Sequence, residues 1–226
     1  MPKRYEEIGV SEADRYFYAL SHFVVRAVGL ATVLFRTEGA ENLPQDGRGL
    51  IVSNHLHWSD VLFVPSAVPK RHVVVAGRRK FMEAPVVGAL FDRWGAVVID
   101  RGQENPGREA LLQSLQTIKK PLEEDRLELL FASPNTRTPG IKPGPTNGGV
   151  ARAAYETATD VYAAVIKGSD RLSDQRVSVG FSSSLGYPDS DKPRERKEYL
   201  HHLWEVQTEM FDNIPHPFNY RAPDLE

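Results

Sequence analysis

The chain has 226 residues, 41% of them hydrophobic, which is enough to bury one sizeable core but short for two, so we expect a single domain. Its 28 Lys and Arg residues nearly balance 30 Asp and Glu residues, and no basic tail is present, so the charge excludes nucleic acid as a partner. The absence of cysteine excludes a disulfide framework, a thiolate zinc site and a thiol nucleophile. Because the sequence also begins without the apolar stretch of a signal peptide, we expect a cytoplasmic location.

The first predicted element is a helix at Tyr16–Phe35, which follows a capping-box pattern at Ser11–Asp14. A membrane-spanning helix needs about 20 apolar residues, whereas this segment contains Ser21, His22 and Arg26, so we do not expect it to cross a bilayer. Two interpretations remain open. The helix can pack on the domain, or it can lie on the inner face of the membrane as a peripheral contact.

Beyond this helix, short apolar runs typical of buried strands alternate with helix-like segments. The predicted strands are Leu50–Val52, Val73–Ala76, Ala96–Ile99, Leu127–Phe131, Val161–Ile166 and Arg176–Phe181. The predicted helices are Val61–Ala67, Pro106–Glu124, Gly149–Thr157 and Pro193–Phe211.

This alternation predicts a single-domain α/β sandwich in which helices flank a largely parallel sheet. We expect one domain over residues 1–226, with an N-terminal helix at about 11–36, a catalytic core at about 37–185 and a C-terminal helix at about 193–212. The segment Thr138–Gly149 is rich in proline and glycine, which predicts a mobile loop at the edge of a site.

The segment Ser53–Asp60, SNHLHWSD, directly follows a predicted strand, where α/β proteins usually place ligand sites. His55 and Asp60 are five residues apart, too far to share a helical face, but a turn can fold the carboxylate back onto the imidazole. A carboxylate bound to one ring nitrogen leaves the other nitrogen free to take a proton, which makes the pair a candidate general base. Alternatively, Asp60 can cap the helix predicted at Val61–Ala67.

Three short motifs follow one another along the chain. Asn54, His55 and Asp60 form the pattern N-H-x4-D, Glu38–Pro44 reads EGAENLP upstream, and Trp94–Arg101 reads WGAVVIDR downstream. These motifs resemble the NHx4D, G-x-E-N-L-P and G-x-I-x-I-D-R blocks of the PlsC-like glycerolipid acyltransferases, which include lysophosphatidic acid acyltransferases. The resemblance covers about residues 35–170 and implies the glycerol-3-phosphate acyltransferase-like fold and an acyltransferase activity.

The resemblance also implies a mechanism and a set of site residues. His55 removes the proton from an acceptor hydroxyl or amine, which attacks the thioester of an acyl-CoA or an acyl-carrier protein, while Asp60 orients the base. Neither a cofactor nor a covalent acyl-enzyme is implied. Substrate binding is assigned to Asn54, Arg101, Thr136 and Arg137. Either arginine can bind a phosphate or carboxylate through two hydrogen bonds, or it can pair with Asp100 or another surface acid.

The third block departs from the family pattern, F-P-E-G-T-R-S, because Phe131–Thr138 reads FASPNTRT. Asn135 in place of glycine is a mild change, but Pro134 in place of glutamate removes both a carboxylate and a backbone donor. The fourth block also lacks its usual valine-proline. These departures predict an acceptor other than ordinary lysophosphatidic acid, such as a hydroxyl or amine of a specialised metabolite. They leave open a catalytically silent, acyl- or lipid-binding member of the family.

Two further residues of the motif have alternative interpretations. His57 lies two residues after His55, and together with Asp60 these side chains suggest a metal site, since imidazole and carboxylate suit zinc or iron. The H-x-H-x-D-H pattern of metallohydrolases, however, needs an aspartate and a histidine at the positions of Ser59 and Asp60. We therefore predict no metal. Trp58 can line an acyl channel, or it can anchor packing beside the turn.

Overall fold

A computed structural model describes residues 12–32, 34–68, 71–78, 85–99, 108–132, 137–174 and 176–215. Arg101 and Thr136, two of the predicted substrate-binding residues, lie outside these ranges. So do Ser11 of the predicted capping box and Pro134 and Asn135 of the divergent third block.

The described residues form helices and strands that alternate along most of the chain. The helices are α1 (Glu12–Thr32), α2 (Asp60–Ser66), α3 (Pro85–Arg93), α4 (Arg108–Glu123), α5 (Gly148–Thr157) and α6 (Pro193–Asn213). The strands are β1 (Leu34–Glu38), β2 (Gly49–Ser53), β3 (Val73–Arg78), β4 (Val97–Ile99), β5 (Leu127–Phe131), β6 (Val161–Lys167) and β7 (Arg176–Ser184). Short 3-10 helices span Ala40–Asn42 and Ser169–Asp174.

The strands form one sheet in the order β1-β7-β6-β2-β5-β3-β4. From β6 to β4 the neighbouring strands are parallel, whereas β7 is antiparallel to β6 and parallel to β1. The predicted fold class, an α/β sandwich with a largely parallel sheet, is therefore confirmed. Because β2, β5 and β6 point the same way, their C-terminal ends meet at one edge, called here the carboxyl edge.

Helices cover both faces of the sheet because the central strands are apolar on both sides. One face packs against α1, α2 and α3 through residues such as Ile51, Phe63 and Phe91. The other face packs against α4, α5 and α6 through residues such as Val52 and Leu203. The part of the chain described here contains no helix with the length and apolar character needed to cross a membrane.

The structure corrects the end of the predicted N-terminal helix, which was placed at Tyr16–Phe35 within residues 11–36. The helix ends at Thr32, and Leu34 and Phe35 begin β1. β1 exists because it pairs with β7, in a register that begins at Leu34 opposite Arg176, and because Phe35 is buried. A short edge strand formed by pairing with a distant segment has no local signal, so the sequence alone does not separate Leu34 and Phe35 from the apolar helix before them.

Candidate functional site

The end of β2 is joined to β6 by a side chain. Asn54 is fully buried, its Oδ1 accepts a hydrogen bond from the backbone N–H of Ile166 over 2.7 Å, and its Nδ2 donates to the Ile166 carbonyl over 2.9 Å. The asparagine thus continues the pairing of β2 with β6 one residue beyond the strand. The side-chain amide of Asn54 therefore fixes the point at which the chain leaves the sheet, just before His55. Substrate binding by Asn54 remains a prediction.

The turn after β2 brings the two predicted catalytic side chains together. His55 Nδ1 lies 2.7 Å from Asp60 Oδ2. The same oxygen accepts hydrogen bonds from the backbone N–H groups of Leu56, over 2.7 Å, and His57, over 3.0 Å. Asp60 is the first residue of α2 and bonds backward to these amides, so the alternative interpretation of Asp60 as the cap of that helix is wrong.

The partners of Asp60 determine which nitrogen of His55 can act as a base. A carboxylate only accepts hydrogen bonds, so in the neutral imidazole of His55 the proton lies on Nδ1 and the lone pair on Nε2. The Asp60 side chain is fully buried, whereas 17% of the His55 side chain is exposed. The buried acid therefore holds an imidazole that remains accessible to a substrate.

Phe131, the last residue of β5, packs against the same imidazole. The two rings are stacked, with centroids 4.5 Å apart and planes 29° apart. Together with the bond to Asp60, this contact restricts rotation of the His55 ring about its side-chain torsions. The sequence predicts Phe131 as the end of a strand and the start of the third block, whereas its contact with His55 arises because β5 lies beside β2 and ends at the same edge.

The second histidine of the motif is held in a different way. His57 Nδ1 is 2.8 Å from Ser59 Oγ and accepts the Ser59 N–H over 3.4 Å, so here Nδ1 is an acceptor. Both Nδ1 atoms of the two histidines are thus occupied by protein groups. Within the described ranges, no group of three or more His, Cys, Asp or Glu residues could hold a metal ion.

The structure also shows where Arg137 and Trp58 lie relative to His55 and Asp60, called here the dyad. The backbone N–H of Thr138 donates to the His55 carbonyl over 2.8 Å, which brings the neighbouring Arg137 next to the loop that carries the base. Arg137 is exposed. Trp58 is 56% exposed, and its ring centroid lies 5.3 Å from that of His57, so it contacts the turn without being buried in the core.

Comparisons with known proteins agree with this geometry. A protein-family model described as Acyltransferase matches residues 34–167. The fold is similar to that of the 1-acyl-sn-glycerophosphate (LPA) acyltransferase PlsC from Thermotoga maritima, with a TM-score of 0.70 and 16% sequence identity over 91% of this chain and 83% of that chain. No curated protein matches the chain.

Proposed function

Because the chain belongs to the acyltransferase family and has the fold of PlsC, we propose that it transfers an acyl group from a thioester to a hydroxyl or amine acceptor, with His55 as the general base. The observation that supports this mechanism best is the 2.7 Å contact between His55 Nδ1 and a buried carboxylate, because it favours the tautomer of the neutral imidazole that has its lone pair on Nε2. The thioester of an acyl-CoA and that of an acyl-carrier protein are the same chemical group, and either can serve as the donor.

In the proposed reaction, His55 Nε2 removes the acceptor proton as the acceptor oxygen or nitrogen attacks the thioester carbonyl. The tetrahedral intermediate collapses with cleavage of the carbon–sulfur bond, and the sulfur leaves with the proton taken up by His55. The products are the acylated acceptor and a free thiol. Asp60 stabilises the imidazolium formed between these steps and keeps Nδ1 protonated throughout.

The acceptor is proposed to differ from ordinary lysophosphatidic acid. Pro134 and Asn135 replace the glutamate and glycine of the third block, whereas the motif that performs the chemistry is intact. The bond from Thr138 to His55 supports a role of this segment beside the acceptor, because it joins the segment to the loop of the base. Arg137 and Arg101 are proposed to bind an anionic group of the acceptor.

The proposal is tested by thiol release from purified protein given an acyl-CoA or an acylated carrier protein, together with a panel of hydroxyl and amine acceptors that includes lysophosphatidic acid. We expect thiol release that depends on an acceptor, and slower turnover of lysophosphatidic acid than of the best acceptor. Efficient formation of phosphatidic acid would contradict the proposed change of acceptor. Acyl-CoA binding without acceptor-dependent release would instead indicate a catalytically silent family member.

We also propose that α1 lies on a bilayer surface. Four apolar residues lie on one side of α1 at helical spacing, and each is between 48% and 72% exposed. They are Tyr16, Leu20, Phe23 and Val24. The opposite side of the helix faces the protein, where Tyr18 and His22 are buried and His22 Nδ1 is 2.7 Å from Ser66 Oγ of α2. A helix with one packed face and one exposed apolar face is suited to an interface between protein and lipid.

This membrane contact is tested with the double variant Leu20→Glu, Phe23→Glu in sedimentation with vesicles of phosphatidylcholine and phosphatidylglycerol. We expect at least about a tenfold loss of vesicle binding, because burial of each such side chain contributes about 1.5–3 kcal/mol. The matched control is Leu111→Glu, Leu112→Glu, which changes two exposed leucines of α4. An equal loss in both double variants would contradict a specific role of α1.

A further inference from the structure

The C-terminal helix α6 lies beyond the residues matched by the family model, which end at residue 167, yet it reaches the loop that carries His55. Leu56, the residue after His55, is fully buried and packs against β6 and the end of α6 in a cluster with Val165, Phe211 and Ile214. The N–H of Leu56 is also one of the donors to Asp60 Oδ2. The end of α6 therefore packs directly against the turn that joins the base to its carboxylate.

Two buried polar side chains hold α6 at this position on the sheet. Gln207 of α6 is fully buried, and its Nε2 donates to carbonyls of β2 and β6 over 2.8 and 3.2 Å. Lys167, the last residue of β6, donates to the carbonyls of Phe211 and Ile214 over 2.8 and 3.2 Å, and burial lowers the pKa of its ammonium group. A cation is favourable at a helix C-terminus. Sliding of α6 along the sheet would break these buried hydrogen bonds.

A second connection from α6 to His55 runs through the loop at residues 138–147, called here the proline loop. At one end of this loop the Thr138 N–H donates to the His55 carbonyl. Farther along, the Pro143 carbonyl accepts a hydrogen bond from Trp204 Nε1 of α6 over 2.9 Å. Lys142 Nζ lies 2.6 Å from Asp212 Oδ1, also on α6. The proline loop, which the sequence predicts to be mobile, is thus bound both to the backbone of His55 and to the C-terminal helix.

We infer that α6 positions the His55 loop for acyl transfer, acting from one side through Leu56 and from the other through the proline loop. Trp204 is a positioning residue in this arrangement, since it contacts the Pro143 carbonyl and acts on His55 only through the proline loop. The inference rests on the proposed function, because the position of His55 matters only if His55 is the base. Displacement of a reacting group by about 1 Å can lower a rate by about 10²-fold, so the support of this loop has a measurable effect on turnover.

The test compares Trp204→Phe with Tyr199→Phe. Both residues lie on α6, and each side chain donates one hydrogen bond to a loop carbonyl: the indole N–H of Trp204 to Pro143, and the hydroxyl of Tyr199 to Gly186 over 2.8 Å. Gly186 also accepts the N–H of Val161, the first residue of β6, so it lies at the edge of the sheet opposite His55. The two variants therefore remove the same kind of contact from the same helix, one on the side of the base and one away from it.

We expect Trp204→Phe to lower kcat about tenfold and to speed amide hydrogen exchange at Leu56 and His57, the two backbone donors to Asp60, also about tenfold. Tyr199→Phe is expected to change both quantities less than about twofold at a comparable melting temperature. Equal effects of the two variants on both readouts would overturn the inference. The exchange readout does not depend on activity, so a wild-type protein without acyl transfer but with the exchange difference would defeat the proposed function and leave only the structural support of the His55 loop by α6.

Discussion

Replacement of His55 by alanine is expected to lower kcat/KM for acyl transfer by about 10²- to 10⁴-fold, the range that a positioned general base contributes. The variant removes the lone pair at Nε2 but keeps the backbone carbonyl that accepts from Thr138 and the two amides that bind Asp60. The matched control is His57→Ala, which also removes an imidazole of the same turn and keeps the His57 N–H that donates to Asp60. We expect the control to lose less than about tenfold, and equal losses in the two variants would contradict the assignment of the base.

The same dyad is tested from its other end by Asp60→Asn, measured in the same thiol-release assay. The position of Oδ2 receives three donors, so the amide oxygen of asparagine is expected to occupy it and Nδ1 of His55 to stay protonated. The variant therefore removes the negative charge but not the orientation of the ring. The imidazolium formed in the reaction loses a neighbouring negative charge, an interaction of about 1–4 kcal/mol, so we expect a loss of about 10- to 10³-fold. An unchanged rate would show that the charge of Asp60 does not act on the imidazolium.

The contact between His55 and Asp60 could be predicted because the two residues are local in sequence. A turn of five residues is enough to place a carboxylate on an imidazole, and the motifs on either side identified the family and the enzyme class, both of which are confirmed. What the motif could not reveal is the arrangement around Asp60, where one oxygen accepts the Leu56 and His57 amides as well as the ring. Those donors are backbone groups, and every sequence supplies them.

Contacts between distant parts of the chain account for what the sequence did not predict. β1 depends on β7 at residues 176–184, and the ring of Phe131 meets His55 only because β5 pairs with β2. Gln207 would be expected on an exposed helix face, yet it is buried against carbonyls of β2 and β6. The packing of α6 against Leu56 likewise joins two segments that no local pattern relates. Sequence periodicity identifies such a helix but not the surface it meets.

A second large effect is expected on stability, from Glu128 in the middle of β5. Its side chain is fully buried, and among the described residues neither carboxyl oxygen has a hydrogen-bond partner. The residue pairs across the sheet with Leu50 of β2 and Val74 of β3, so its neighbours there are apolar. Burial raises the pKa of this carboxyl well above its usual value, an effect that the nearby Arg126 opposes only in part.

The pKa of Glu128 makes the folded protein less stable as the pH rises. Below the ordinary carboxyl pKa, near 4.5, both the folded and the unfolded chain hold the proton. Above it, the unfolded chain releases the proton while the folded protein keeps it, so the free energy of unfolding falls by about 1.4 kcal/mol for each pH unit. The decline ends once the pH passes the raised pKa of the folded state.

Glu128→Leu is therefore expected to raise the free energy of unfolding at pH 8 by about 2–4 kcal/mol, measured by urea denaturation, because it removes a buried polar group from an apolar site. Glu209→Gln, which changes an exposed glutamate on α6, is the control and is expected to change the free energy of unfolding by less than about 0.5 kcal/mol. A Glu128→Leu protein no more stable than wild type at pH 8 would mean that the carboxyl has a partner in solution.

The test compares the free energy of unfolding of the variant with that of the wild type at each pH. This comparison is needed because another buried group, His22, changes the stability of both proteins with pH in the opposite direction. Burial, with a smaller contribution from His72, lowers the pKa of His22 to about 4 from its ordinary value of 6.5. Between these values the unfolded chain binds the proton more readily, so His22 makes the protein more stable as the pH rises. Subtraction cancels this contribution, since both proteins contain His22. The stabilisation by Glu128→Leu should therefore grow from about pH 4.5 until the pH passes the raised pKa of Glu128, whereas a difference independent of pH would indicate improved packing alone.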